Sequence, residues 1–279
     1  MMEETKLLVV TDIHHGNSFE TKQSDFALDL LNDFVKTANT TNAHFVVDLG
    51  DRINDHDHKT DYSLMQDVAQ VFKKLAIRRE HLLGNHDVHF LTADENATLL
   101  GSPVQSRSIN VGDWHFIFWC PNTKYTRDIG FQSDDEAFLW LKNDLKKNKG
   151  PTILFCHVPQ LAGQLTGNYW FQNNPWGTHF PNYEKLIKLI SEHPSIQMTV
   201  GGHLHWPKLN TLHGVHHITL PSLIEGFYTN NKACGAWTEI TLHSNIIVEI
   251  YGQQHWKWEL PLRPKGQQWP KPRPSARFN

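Results

Sequence analysis

Short apolar runs recur along this 279-residue chain, and amphipathic helical patterns separate the earlier ones. The runs are rich in β-branched and aromatic residues and have the length of single strands, which predicts β-strands. They lie at 6–10, 44–49, 80–83, 114–120, 152–156, 196–200, 215–220, 236–242 and 245–251. Alternating strands and helices are typical of an α/β protein.

The helical patterns place apolar residues three and four positions apart. They occur at 26–35, 64–75, 138–145 and 183–190. Before the third pattern, Ser133 and Glu136 have the spacing of a capping box. The last quarter of the chain is rich in strands and poor in helices, which favours a mixed α/β sandwich over a doubly wound sheet.

Two segments depart from this alternation. Residues 161–182 combine five aromatic residues with Gly, Asn and Pro and have no periodicity, which predicts a long structured loop that either packs or lines a pocket. Residues 261–279 carry five prolines, five basic residues and no acid, so we expect an extended or disordered tail. We therefore expect one domain over residues 1–260 and a tail over 261–279.

The charge balance argues against a nucleic-acid-binding protein. The chain has 26 Lys and Arg against 29 Asp and Glu, and its formal net charge of −3 provides no basic surface for a duplex. Three widely spaced cysteines without a CxxC pair predict reduced thiols. The first apolar run is too short for a signal peptide, and no run reaches the length of a membrane span, so we expect a soluble, cytoplasmic protein.

Polar clusters follow the ends of several predicted strands. They are Asp12-Ile13-His14, Gly50-Asp51, Gly84-Asn85-His86-Asp87, His157 and Gly202-His203-Leu204-His205. Because the carboxyl ends of strands in α/β folds meet at one crevice, we expect these clusters to lie together. On an extended backbone, residues two apart point to the same side, so Asp12 would lie beside His14 and His203 beside His205.

The side chains in these clusters are His, Asp and Asn, without a thiolate. Such ligands suit Mn, Fe, Co or Zn ions rather than a structural zinc site. The donors suffice for two ions, and two adjacent ions need a bridging anion, for which Asp51 is the natural candidate. Arg52 follows that bridge directly, so its side chain either contacts a ligand bound at the site or points away from the site.

With these clusters in this order, the chain resembles the calcineurin-like metallophosphoesterase family. The family pattern consists of DxH, GD, GNH[D/E], H and GHxH, and every part of it is matched in order from residue 12 to residue 205. The resemblance implies a four-layer αββα sandwich of two mixed β-sheets flanked by helices. It also implies that Asp12, His14, Asp51 and His205 hold one metal ion. A second ion would be held by Asp51, Asn85, His157 and His203.

The resemblance further implies that a hydroxide bridging the two ions attacks phosphorus in line. His86 would then protonate the leaving oxygen, while Asp87 would orient the His86 ring and support its cationic form. The single His157 would be an ordinary buried histidine in another context, and Asp87 could instead serve as a helix cap. We therefore expect His86 and Asp87 to be the catalytic residues.

Sequence differences from three other groups of this family narrow the range of expected activities. Asn54 occupies the position of the tyrosine found three residues after the bridging Asp in purple acid phosphatases, and the GDxVDRG motif of protein phosphatases is absent. His86 stands where UDP-diacylglucosamine hydrolases have Arg. The chain is most similar to small bacterial-type class III cyclic-nucleotide and glycerophosphodiester phosphodiesterases, which implies hydrolysis of a small phosphodiester.

Several alternatives stay open at this point. The same fold and metals would serve a phosphomonoesterase, a nucleotide pyrophosphohydrolase or a phospholipase C-type lipid hydrolase, and some relatives of this fold are non-catalytic protein-binding scaffolds. A nuclease is disfavoured by the absence of a basic surface. The aromatic loop and the basic tail leave contact with a membrane surface or with a second copy of the chain as further options.

Overall fold

The computed structural model describes residues 3–127 and 129–264. Its strands are β1 (Thr5–Val10), β2 (Phe45–Asp48), β3 (Arg78–His81), β4 (Arg107–Val111), β5 (Trp114–Phe118), β6 (Tyr125–Thr126), β7 (Gly130–Phe131), β8 (Thr152–Phe155), β9 (Ile196–Gly201), β10 (Lys208–Leu212), β11 (Val215–Thr219), β12 (Trp237–Leu242), β13 (Asn245–Tyr251) and β14 (Trp256–Pro261). Its helices are α1 (Ala27–Ala38), α2 (His58–Phe72), α3 (Ala93–Leu100), α4 (Asp135–Lys147) and α5 (Tyr183–Glu192).

Two six-stranded mixed sheets form the centre of the fold. The first has the order β14-β13-β12-β1-β2-β3, and the second has the order β10-β11-β9-β8-β5-β4. Strands β1, β2 and β3 run parallel, as do β5, β8, β9 and β11, so the carboxyl ends within each group lie at one edge. Strands β6 and β7 form a separate small hairpin.

The core has three parts because alternate residues of a strand face opposite sides of its sheet. Leu7 and Val9 of β1 pack between the two sheets, together with Phe155 of β8. Leu8 of β1 packs instead under the helices α1, α2 and α3, and Leu154 of β8 packs under α4 and α5. Helices therefore cover both outer faces, which confirms the four-layer αββα sandwich.

Every strand predicted from the sequence is present, with its ends displaced by at most two residues. The strands that the sequence did not predict in the two large sheets are β4, β10 and β14, and each of them lies at a sheet edge. Edge strands have one partner and carry more polar residues than central strands, so they lack a continuous apolar run. The hairpin β6–β7 was also missed.

The four predicted helices correspond to α1, α2, α4 and α5, whereas α3 was not predicted. Helix α3 is short but has a complete capping box between Thr92 and Glu95. The capping box predicted at Ser133 and Glu136 is wrong, because Asp134 is the residue that caps α4, by accepting a hydrogen bond from the backbone N–H of Ala137.

The long loop predicted at 161–182 is present, and its only helical segment is a 3-10 turn at Pro175–Thr178. Part of the predicted tail is packed, since Pro261 pairs within the first sheet and the buried Arg263 guanidinium donates to the carbonyls of His193 and Ser191. Residues 265–279 lie outside the described residues. None of the helices in the described ranges combines the length and apolar character needed to cross a bilayer.

Phe45 of β2 tests the importance of the packing between the sheets. Its ring is fully buried and lies 5.0 Å from the ring of Phe116 on the opposite sheet, centroid to centroid. Replacing Phe45 by Ala leaves a cavity and should lower the free energy of unfolding by about 3–5 kcal/mol, measured by urea denaturation.

Phe26→Ala is the matched control, because Phe26 is 53% exposed. It should change the free energy of unfolding by no more than about 0.5 kcal/mol. Equal effects of the two substitutions would contradict this description of the core.

Candidate metal centre

The nine candidate site residues all follow strands whose carboxyl ends point to one side of the molecule. Asp12 and His14 follow β1, Asp51 follows β2, and Asn85 begins the short turn after β3. His157 follows β8 of the second sheet, and His203 and His205 follow β9. The structure therefore brings together segments from both sheets, as expected from the strand order.

The backbone at these positions is not extended, contrary to the expectation that residues two apart share one side of an extended chain. Asp12, His14, Asp51, His203 and His205 have φ angles of 52°, 45°, 55°, 65° and 58°, all in the left-handed region. Residues other than glycine seldom adopt this conformation, and it tends to occur at functional sites. Each pair of residues thus converges through tight turns and not through the alternation of a strand.

Two glycines allow these turns to approach each other. A Cβ atom on Gly84 would collide with the carboxylate and backbone nitrogen of Asp51. A Cβ atom on Gly202 would collide with the side chains of Thr11 and Asp12. Glycine is therefore required at both positions to leave room for the two aspartates.

The first cluster of candidate ligands consists of Asp12, His14 and His205, all of which are buried. The Nε2 atoms of His14 and His205 lie 3.0 Å apart, and His205 Nε2 lies 3.3 Å from Asp12 Oδ1. Three donor atoms that converge on one small space in this way have the arrangement of a cation site.

Asp51, His157 and His203 form the second cluster. His157 Nε2 lies 3.2 Å from Asp51 Oδ2, and the same oxygen lies 3.8 Å from His14 Nε2 of the first cluster. The Asp51 carboxylate therefore lies between the two clusters, as a bridging ligand must. Asn85 lines the same cavity, and its buried Oδ1 makes no hydrogen bond within the described part of the chain.

The second nitrogen of three histidine rings is held by an outer partner. His205 Nδ1 lies 2.8 Å from Glu225 Oε2, His14 Nδ1 lies 3.1 Å from Asn54 Oδ1, and His203 Nε2 lies 2.8 Å from the Gly177 carbonyl oxygen. In the tautomers of His205 and His203 that donate to these oxygens, the other ring nitrogen carries a free lone pair. His14 Nδ1 also lies 3.2 Å from the Lys22 ammonium, which can only donate. The sequence motifs did not indicate Glu225 or Asn54 for this role.

The charge states of the aspartate and histidine side chains at the site also favour the binding of cations. Burial would raise the pKa of Asp51, but His157 and His86 outweigh this effect and hold the pKa well below its usual value. Burial lowers the pKa of His203 to about 3, so this ring is neutral at neutral pH. Burial also opposes a charge on His157, yet Asp51 raises its pKa to about 9, and a bound cation would displace that proton.

His86 lies at the edge of the cavity, and Asp55 is its partner. The His86 backbone N–H donates to Asp51 Oδ1 at 2.8 Å, and its half-buried ring lies 4.8 Å from the His14 ring, centroid to centroid. Its Nδ1 atom hydrogen-bonds to the Asp55 carboxylate. The imidazole therefore faces the ligand clusters from a fixed orientation.

The role expected for Asp87 is wrong. Its buried carboxylate does not hold the His86 ring but accepts hydrogen bonds from the backbone N–H groups of Asp51, Arg52 and Gly84. It also pairs with the Arg52 guanidinium at 2.9 Å. Arg52 is fully buried between Asp87 and Asp48, so it points away from the cavity and supports the turn beneath it.

A cavity of about 690 Å³ opens over the two clusters. Asp51, His203 and His205 lie on its floor, and Trp170 and Phe171 of the loop 161–182 line one side. Phe180 of the same loop is buried against Trp119 and Phe131 instead. Part of the aromatic loop therefore lines the pocket and part of it packs in the core.

Comparison with known proteins yields solved structures of the same fold. A dimetal phosphatase from Danio rerio is similar with a TM-score of 0.74 and 14% identity, over 92% of this chain and 99% of that one. Purple acid phosphatase from yellow lupin (Lupinus luteus) is similar with a TM-score of 0.66 and 12% identity, over 99% of this chain and 58% of that one. The Plasmodium protein GAP50, an anchor in the inner membrane complex, has a TM-score of 0.58 and 14% identity, over 94% of this chain and 90% of that one.

These low identities show a shared fold alone. No curated protein sequence gives a significant match to the chain. The sequence does match the family model for calcineurin-like phosphoesterases over residues 5–207, which is well over half of its length and includes every candidate ligand. The match confirms the resemblance seen in the motifs: this chain belongs to the calcineurin-like phosphoesterase family.

Proposed function

We propose that this protein hydrolyses phosphodiester bonds of a small molecule, such as a cyclic nucleotide or a glycerophosphodiester, with two metal ions. The observation that carries the proposal is the pair of buried ligand clusters that meet at Asp51 on the floor of an open cavity. Membership of the family supports a metal-dependent phosphoester hydrolase. The preference for diesters rests on the motif resemblance and on the size of the cavity, which leaves room for a second substituent on phosphorus.

The two clusters would hold one ion each. Asp12, His14, Asp51 and His205 are the proposed ligands of the first, and Asp51, Asn85, His157 and His203 are those of the second. A bound pair of Mn, Fe, Zn or Co ions would supply a nucleophilic water and neutralise charge on the phosphoryl oxygens. Glu225 and Asn54 would fix the rings of His205 and His14 for this task.

His86 would donate a proton to the leaving oxygen. Its ring lies at the edge of the cavity, and the hydrogen bond from Nδ1 to the Asp55 carboxylate would leave Nε2 as the nitrogen available to donate. Asp55 is thus proposed for the positioning role that the motif had suggested for Asp87. A cytoplasmic location, a single domain and the absence of a duplex nucleic-acid partner stay predictions.

The diester preference can be measured with a substrate panel. With Mn²⁺, we expect bis-p-nitrophenyl phosphate to be hydrolysed with a higher kcat/KM than p-nitrophenyl phosphate, and chelation with EDTA to abolish both reactions. Cyclic AMP, glycerophosphocholine and a phospholipid complete the panel. A higher kcat/KM for the monoester or the phospholipid would favour the corresponding alternative activity.

The role of His86 can be separated from metal binding. His86→Ala should lower kcat by about 10²-fold or more, since it removes the proposed proton donor, while the metal content measured by elemental analysis stays unchanged. Asp55→Asn should lower kcat less than His86→Ala does, with little change in KM or metal content, because it loosens the orientation of the ring but keeps the proposed proton donor. Full activity of His86→Ala would exclude the proposed proton transfer and would fit a non-catalytic scaffold with contaminating activity.

Asp51 should be required for the metals as well as for turnover. Asp51→Asn removes the bridging charge and should reduce both the bound metal per chain and kcat/KM. The matched control is Asp33→Asn on the exposed face of α1, where the side chain is 69% exposed. This control should retain both properties, and normal metal content in Asp51→Asn would disprove the bridging role.

A further inference from the structure

The cavity has an aromatic wall beside the ligand clusters, formed by Phe19, Trp170 and Phe171. The proposed hydrolysis does not use these residues. The Phe19 and Trp170 rings are close to parallel, with an interplanar angle of 30° and a centroid distance of 6.4 Å. Apolar surface left open in a cavity commonly marks the place where a ligand is bound.

Phe19 is held on a tight turn. Its backbone N–H and carbonyl both hydrogen-bond to Lys22, at 3.0 and 2.9 Å, so the two residues face each other across a small ribbon. Such directly opposed residues place their side chains on the same side. The Lys22 ammonium lies 5.2 Å from the centre of the Trp170 ring, whereas Phe19 remains 60% exposed.

Trp170 is fixed to the candidate metal centre. Its indole N–H donates to Glu225 Oε2 at 2.8 Å, and the same oxygen is the partner of His205 Nδ1. Lys22 also forms a backbone bridge with Glu225. The indole plane, the ribbon of Phe19 and the His205 ring are therefore joined through one carboxylate.

Phe171 is fixed in a similar way. Its ring lies 4.8 Å from the His203 ring, centroid to centroid, and its backbone N–H donates to Asn168 Oδ1. The Asn168 amide donates in turn to the carbonyl of Leu204, between the two histidines of GHLH. Trp170 and Phe171 are therefore held beside the two candidate ligand histidines of this segment.

We propose that the aromatic wall binds a planar aromatic substituent of the phosphoester, so that the enzyme selects substrates carrying an aryl or nucleobase ring over those with a small polar alcohol. The proposal rests on the proposed phosphoesterase function. A planar ring gains dispersion and stacking energy against fixed aromatic faces, whereas a glycerol group cannot stack on them. Because Trp170 and Phe171 are held in place, only the exposed Phe19 ring has to be ordered against this gain.

Three diesters share the p-nitrophenyl leaving group, so that only the second substituent on phosphorus differs: p-nitrophenyl methyl phosphate, p-nitrophenyl phenyl phosphate and thymidine 5′-(p-nitrophenyl phosphate). The wild-type enzyme loaded with Mn²⁺ should show a higher kcat/KM for one or both of the diesters whose second substituent is aromatic than for the methyl ester. Phe19→Ala should lower kcat/KM for that substrate about fivefold, mainly through KM, and should change the methyl ester less than about twofold.

Phe19→Tyr keeps the ring and should retain the preference. Phe26→Ala is the matched control, since Phe26 is also an exposed phenylalanine but does not line the cavity. A faster thymidine ester would identify the substituent as a nucleobase, and a faster phenyl ester would identify a simple aryl group. Equal effects of Phe19→Ala on all three esters would overturn the proposal while leaving the phosphodiesterase function intact.

A binding measurement without turnover tests the aromatic wall separately from the proposed phosphodiesterase function. Calorimetric titration of the metal-loaded protein with phenylphosphonate and methylphosphonate should show tighter binding of the phenyl compound in the wild type, and Phe19→Ala should remove the difference. If none of the diesters is hydrolysed, the proposed function fails, and this titration still decides the proposal. Equal affinities for the two phosphonates would overturn it.

Discussion

The buried carboxylate of Asp87 is the interaction on which the arrangement of the site depends. It accepts three backbone N–H groups from the turns after β2 and β3, and it pairs with the Arg52 guanidinium, which Asp48 holds from the other side. Burying such charges is costly unless their hydrogen bonds are satisfied. Here the network joins the two turns, so that Asp51 and the Asn85–His86 segment keep a fixed separation.

The same turns carry backbone strain. Several candidate ligands have a left-handed backbone, and main-chain hydrogen bonds hold them there, such as those from Asp12 N–H to the Gly50 carbonyl and from His14 N–H to the Asp51 carbonyl. A strained conformation persists only where its surroundings determine it. The sheets, the Asp87 network and the absence of Cβ atoms at Gly84 and Gly202 provide those surroundings.

Much of the fold and of the candidate site could be predicted from the sequence, because central strands are continuous apolar runs and the motif residues follow them directly. Edge strands such as β10 were missed since their polar residues resemble those of loops. The motifs indicated which residues converge, but not why, since the pairs lie in tight turns. The partners of His86 and His205 were missed because Asp55 and Glu225 reach them through packing between segments that no local spacing encodes.

Glu225 serves two parts of the molecule at once, because one of its oxygens contacts both a proposed ligand and the indole of the cavity wall. Three residues of the loop 161–182 also contact the site directly: Trp170 bonds to Glu225, and Phe171 and the Gly177 carbonyl contact the His203 ring. Substitutions at exposed loop positions away from these contacts, such as Gln164, can reshape the entrance while the candidate metal centre keeps its geometry. The loop therefore separates residues that hold the site from residues that shape its entrance, which leaves substrate selection open to change without disturbing the candidate ligands.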